Sequence, residues 1–180
     1  MLGFAREKLP MDDLLNSIRE DLLQSLPERL PTWGNNPIIG PHFDFVTTAP
    51  KHYANGDYLS ASAILYPRIE GIRRTHASVV NPNASFKQTS LAEISATAGG
   101  AVGTLISLLL PDRFKRYLSE VYFAAFDPRN PQGVSRHKVS HGVIAAKSLD
   151  CKAATLAFLI LLQISSVSSF AVKTAPPKAS

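Results

Sequence analysis

Apolar residues recur at helical spacing along most of this chain. The first periodic segment opens at Asp12-Asp13, acidic residues that suit the positive end of a helix. Leu14, Leu15, Ile18, Leu22 and Leu26 follow at that spacing, with Arg19, Glu20 and Asp21 between them. This predicts a helix that ends at Pro27. Pro31, Gly34, Pro37, Gly40 and Pro41 read as a breaker-rich linker from about Leu30, with Trp33 docked on the domain surface. Asp44 to about Val79 is a long helical stretch, broken near Asn55-Gly56 and kinked at Pro67. Asn81-Pro82-Asn83 is a turn.

Ser90, with Glu93 three residues later, is a capping-box opening for a short helix that runs to Ala98. Gly99-Gly100 ends or bends it, and Leu105 to Leu110 is wholly apolar. A further helix starts at Pro111-Asp112, with Phe114, Tyr117, Leu118, Val121, Tyr122 and Ala125 as its apolar stripe. A loop at Asp127–Gly133 precedes the last helix, Lys152 to about Val172. No strand pattern and no internal repeat stands out. The fold class is therefore all-α, an up-and-down helical bundle with an N-terminal helical arm. Residues 1–40 form the arm and linker, 41–172 the bundle, and 173–180 a polar, disordered tail.

Composition narrows this picture. A hydrophobic content of 45% against 18% charged residues supplies a core and excludes a disordered chain. A net charge of +5 favours polyanionic partners. The single cysteine, Cys151, rules out an intrachain disulfide or a CxxC zinc site and suits a reducing cytoplasm. Cys151 reads as a packing residue at a helix start. Ile94–Pro111 and Ala153–Val172 carry no charge and approach membrane-spanning length. Buried helices give the same pattern, so a membrane protein is the lesser alternative.

The segment Arg136-His137-Lys138-Val139-Ser140-His141-Gly142 carries the chemistry. It gathers a fixed cation and two titratable bases. Attack of an RNA 2′-hydroxyl on the neighbouring phosphate needs proton transfer near neutral pH, which suits histidine. The developing phosphorane charge suits a guanidinium. On an ideal helix Arg136 and His141 stand roughly 140° apart, so one chain holds them awkwardly around a phosphate. A two-fold dimer can bring both pairs to one cleft. His137 and His141, about 40° apart, could share a zinc ion. They lack a third ligand nearby, and Lys138 stands where an HExxH motif has glutamate, so neither a metal nor a cofactor is expected. A solvated helix start gives the same short pattern. Glu70 and Arg74 are four apart, in the favourable order for an exposed ion pair.

Arg136–Gly142, taken with the earlier Tyr66-Pro67-Arg68-Ile69-Glu70-Gly71-Ile72-Arg73, resembles the HEPN superfamily over roughly Asp44 to Val172. The arrangement looks like the HEPN domain of bacterial defence and abortive-infection proteins. The resemblance implies a bundle of about four to five helices, a homodimer, and metal-independent RNA cleavage that leaves a cyclic phosphate. It makes Arg136 and His141 the catalytic pair, His137 the polar residue after the arginine, and Glu70 the helix-borne acid facing that arginine. RNA is then the substrate, with a toxin or phage-defence role, and an antitoxin or upstream regulatory domain as a further partner. Some members of the family do not cleave RNA, so a non-catalytic RNA- or protein-binding module is the alternative.

Overall fold

A computed structural model describes residues 11–81, 83, 85–87, 90–93, 113–125 and 133–174, and these are all-α, with no strand among them. Helix α1 is Met11–Gly34, α2 is Phe43–Ala54 and α3 is Tyr58–Val80. A helical segment at 113–122, α4, precedes the short α5, Arg136–Ser140, and the long α6, Cys151–Thr174. Single 3-10 turns lead into α2 at Gly40–His42 and toward α6 at Ala146–Ser148.

Helix α3 is the centre of the fold: α2, α5 and α6 all pack on it, and α1 lies against α2 and α6. Val46, Ala49 and Tyr53 of α2, Leu65, Ile69 and Ile72 of α3, and Ala154, Phe158 and Leu161 of α6 form one continuous core. The Tyr53 ring tilts against Phe158 at 4.9 Å, and its hydroxyl meets Thr155 Oγ1 at 2.6 Å. An aromatic residue with a polar tip is thus buried with its hydrogen bond intact. The α2–α3 break falls where the sequence places it. Gly56 adopts φ +76°, and Asp57 caps α3 by accepting from the Ser60 N–H at 3.1 Å.

Two elements depart from the sequence expectation. Helix α1 does not stop at Pro27 but runs through Pro27 and Pro31 to Gly34. Trp33 is a core residue and not a surface dock: it is 1% exposed, and its Nε1–H donates to Ser165 Oγ at 2.9 Å. Interior prolines each forfeit a backbone bond. Spaced four apart, they place both losses on one side of the helix, while Leu22, Leu26 and Trp33 bury the other. Asn36 Oδ1 then accepts from the N–H groups of Ile38 and Ile39, folding those two residues into the core as well. Residues expected to link thus pack.

In α4, Leu118–Tyr122 is wound as a π-helix, closed by the Phe123 N–H donating to the Leu118 carbonyl at 2.8 Å. The wider turn rotates the predicted stripe. Leu118, Tyr122 and Phe123 are buried, Val121 is turned outward, and Ala125 lies exposed beyond the helix. Of the 173–180 tail, Lys173 and Thr174 still belong to α6. Most of the capping-box helix, Gly99-Gly100, Leu105–Leu110, Pro111-Asp112, most of the 127–133 loop and residues 175–180 lie outside the described residues, although the first turn at 90–93 is helical. No helix among the described residues is long and apolar enough to cross a membrane, and the Ile94–Pro111 stretch is almost wholly outside them.

The core also holds two basic side chains. Arg73 is fully buried, and its Nη2 donates to the Leu91 carbonyl; burial lowers its pKa to about 10. His76 lies three residues on, fully buried, with neither ring nitrogen hydrogen-bonded. Burial, and then the Arg73 charge, pull its pKa down to about 4. The unfolded chain binds this proton near pH 6.5, whereas the folded chain resists it until about pH 4. Stability should therefore fall as the pH drops from about 6.5 to about 4, by roughly 3 kcal/mol from this group. Urea titrations at pH 7 and pH 5 check this. His76→Leu should lose less stability than the wild type between the two. Equal losses would rule His76 out as the source.

Candidate active site

Local rules fix α5 at five residues. Ser135 is its N-cap, with the side chain accepting from the Lys138 N–H at 3.5 Å. Its end is a Schellman motif: the Val143 N–H donates to the Lys138 carbonyl at 3.1 Å, and the Gly142 N–H to Val139 at 3.2 Å. Gly142 has φ +65°, a conformation that a side chain would strain. Lys138 is buried and braces the preceding loop, its Nζ donating to the Gly133 carbonyl at 3.1 Å. The sequence thus starts and stops the motif helix within itself, separately from α6.

The packing of α5 on α3 brings Arg136 to Glu70. Glu70 Oε2 pairs with Arg136 Nε, while Oε1 accepts from Arg74 Nε at 2.9 Å and Nη2 at 2.7 Å. Glu70 therefore makes both contacts that the sequence allows it, the local pair with Arg74 and the long-range one with Arg136. Its side chain is only 5% exposed, against 22% for Arg136 and 46% for Arg74. One buried carboxylate between two guanidiniums leaves the cluster one net positive charge. A guanidinium carries five N–H donors, more than this one carboxylate oxygen can take.

Tyr122 pins this arrangement from below. Its hydroxyl donates to the Tyr66 carbonyl at 2.5 Å, one turn before Glu70, and its ring stacks on Tyr66 at 5.7 Å. Burial above all, and then the Glu70 charge, push the Tyr122 phenol well above its ordinary pKa, so it remains a neutral donor. Composition and periodicity identify Tyr122 only as a stripe residue. Its contact under the Glu70 turn depends on the π-helix, which no sequence signal announced.

His137 and His141 stand one helical turn apart with stacked rings, centroids 5.8 Å apart and planes at 15°. His137 is half-buried and His141 exposed. Desolvation first, then the charges of Arg136 and His141, lower the His137 pKa, with Glu70 opposing. These causes favour the neutral form of the His137 imidazole. The structure brings Arg136, His137 and Glu70 into one electrostatic cluster, with His141 stacked at its edge. Arg136 is turned inward on α3, whereas His141 sits at the exposed end of α5, as the wide angle between them predicts.

Among the described residues no three His, Cys, Asp or Glu side chains gather as a metal site. An apolar groove between α4 and α6, lined by Phe114, Tyr117, Leu156, Leu159 and Ile160 with Arg113 and Gln163 at its edges, lies on other elements than the motif. Cys151 opens α6 half-buried, its Sγ 3.9 Å from Thr155 Oγ1. No protein-family model matches the chain, and no match was found among curated proteins or solved structures.

Proposed function

We propose that this chain is a metal-independent endoribonuclease of HEPN type, acting in the cytoplasm as a toxin or phage-defence effector. One observation carries the reading: Glu70 holds Arg136 by an ion pair at Nε, beside the stacked His137–His141 pair, so a guanidinium and imidazoles adjoin on one short helix.

The chemistry follows from those groups. An imidazole takes the proton of an RNA 2′-hydroxyl as the oxygen attacks the adjacent phosphorus. The terminal nitrogens of Arg136 stabilise the phosphorane oxygens. The P–O5′ bond then breaks, and an imidazolium returns a proton to the leaving oxygen. The products are a 2′,3′-cyclic phosphate and a free 5′-hydroxyl. His141, the exposed member, and Arg136 are the catalytic residues in this reading, and a homodimer supplies two such pairs to one cleft. A nuclease of this kind calls for restraint by an antitoxin or a regulatory domain.

The second reading is a non-catalytic HEPN-like module that binds RNA or a protein. The depth of the Glu70–Arg136 pair favours it, because a half-buried arginine also serves purely as a brace between α3 and α5.

End-labelled RNA incubated with the protein in EDTA separates the two. Fragments ending in cyclic phosphate are the expected result. RNA that is bound but stays intact supports the binding module, with an affinity that falls steeply with salt.

A further inference from the structure

Phe86 is a large aromatic residue that the core does not use: its side chain is 43% exposed. It is also held in place. The Arg74 guanidinium lies over its ring, 5.6 Å from the centroid. Arg74 is fixed in turn by two hydrogen bonds to Glu70 Oε1, and the other oxygen of that carboxylate pairs with Arg136. Three contacts in series therefore tie an exposed aromatic ring to the guanidinium assigned to the phosphate. Exposed Lys87 follows it in the chain. An exposed aromatic ring in a basic neighbourhood can stack an unpaired base while the cations follow the backbone.

We propose that Phe86 is a nucleobase-stacking position, and that the substrate is single-stranded RNA whose unpaired base rests on this ring near the phosphate that Arg136 meets. The proposal rests on the nuclease reading and adds to it the substrate class and the residue that selects it. A base within a duplex has no free face to offer, so duplex RNA gains nothing from Phe86.

The test uses a 2′-O-methyl oligonucleotide, which lacks the attacking hydroxyl, as a labelled single strand and as a duplex. Phe86→Ala should weaken single-strand binding about tenfold and leave duplex binding unchanged. Phe86→Trp should bind the single strand at least as tightly as wild type. The dependence of affinity on salt should stay the same, because stacking releases no counterions. On cleavable RNA, KM should rise with kcat unaltered. Wild-type binding by Phe86→Ala, alongside wild-type cleavage, overturns the stacking position and leaves the nuclease reading standing. Wild-type binding by Phe86→Leu overturns it too, since leucine keeps the apolar bulk without the π face. A wild-type protein that neither binds nor cuts RNA removes the nuclease reading and the stacking position with it.

Discussion

His141→Ala is expected to slow RNA cleavage by about 10²–10⁴-fold, the range for loss of a general acid or base. Arg136→Ala is expected to cost at least about 10²-fold through lost stabilisation of the phosphorane. The two variants carry different structural risks. His141 is exposed at the end of α5, so its loss should leave the unfolding midpoint in place. Arg136 is mostly buried against Glu70, and its removal takes away a partner of that carboxylate. Arg136→Lys sharpens the comparison. A lysine can keep an ion pair with Glu70, but it has no fork with which to bond the phosphate at the same time. It should hold stability near wild type while cleavage stays low. In the double variant the two losses should fall short of their product, because both residues act on one transition state. Initial rates on end-labelled RNA, with a urea titration for each variant, read all of this. Wild-type cleavage by His141→Ala would remove the catalytic assignment.

Glu70→Ala should be the most damaging single change near the motif. It leaves two guanidiniums facing each other with the intervening carboxylate gone. Breaking a buried pair by deleting one partner costs about 3–5 kcal/mol. Arg74 is 46% exposed and can turn toward water, which places the loss at the lower end, about 3 kcal/mol. Glu70→Gln should be milder, since it keeps the shape and one acceptor oxygen. A Glu70→Ala/Arg136→Met pair should recover part of the loss, because no uncompensated charge then remains at the α3–α5 contact. Chemical denaturation of the wild type, Glu70→Ala, Arg136→Met and the double variant gives the coupling energy between Glu70 and Arg136. A coupling near zero would mean that solvent screens the contact and that Glu70 does not position Arg136.

The particular residues show how far the sequence could be read. The α2–α3 break was legible because Gly56 and Asp57 are local signals: one supplies the left-handed conformation, the other the cap. The start and length of α6 were legible from an uninterrupted apolar run. Helix α1 was not, because the breaker rule weighs Pro27 and Pro31 against backbone bonds alone. The burial of Trp33 that offsets them depends on Ser165, far along the chain. The α4 stripe failed at Val121 and Ala125 because a π-turn shifts the helical register, and that shift follows from packing. At the candidate site, spacing revealed the Glu70–Arg74 pair, and Glu70 or another acid of the preceding long helix was the expected holder of Arg136. That one carboxylate makes both contacts, one through each oxygen, is a tertiary fact, as is the position of Phe86 over Arg74.

The stop at Gly142 has a mechanical consequence. Because α5 closes on itself and is held by Glu70 and Gly133, the motif does not inherit its orientation from α6. The exposed stretch Ala145–Lys147, part of it wound in the 3-10 turn, separates the two helices. Changes of length there should therefore disturb Arg136, held on α3 by Glu70, less than they disturb His141. The basic segment is in effect a module riveted to the central helix.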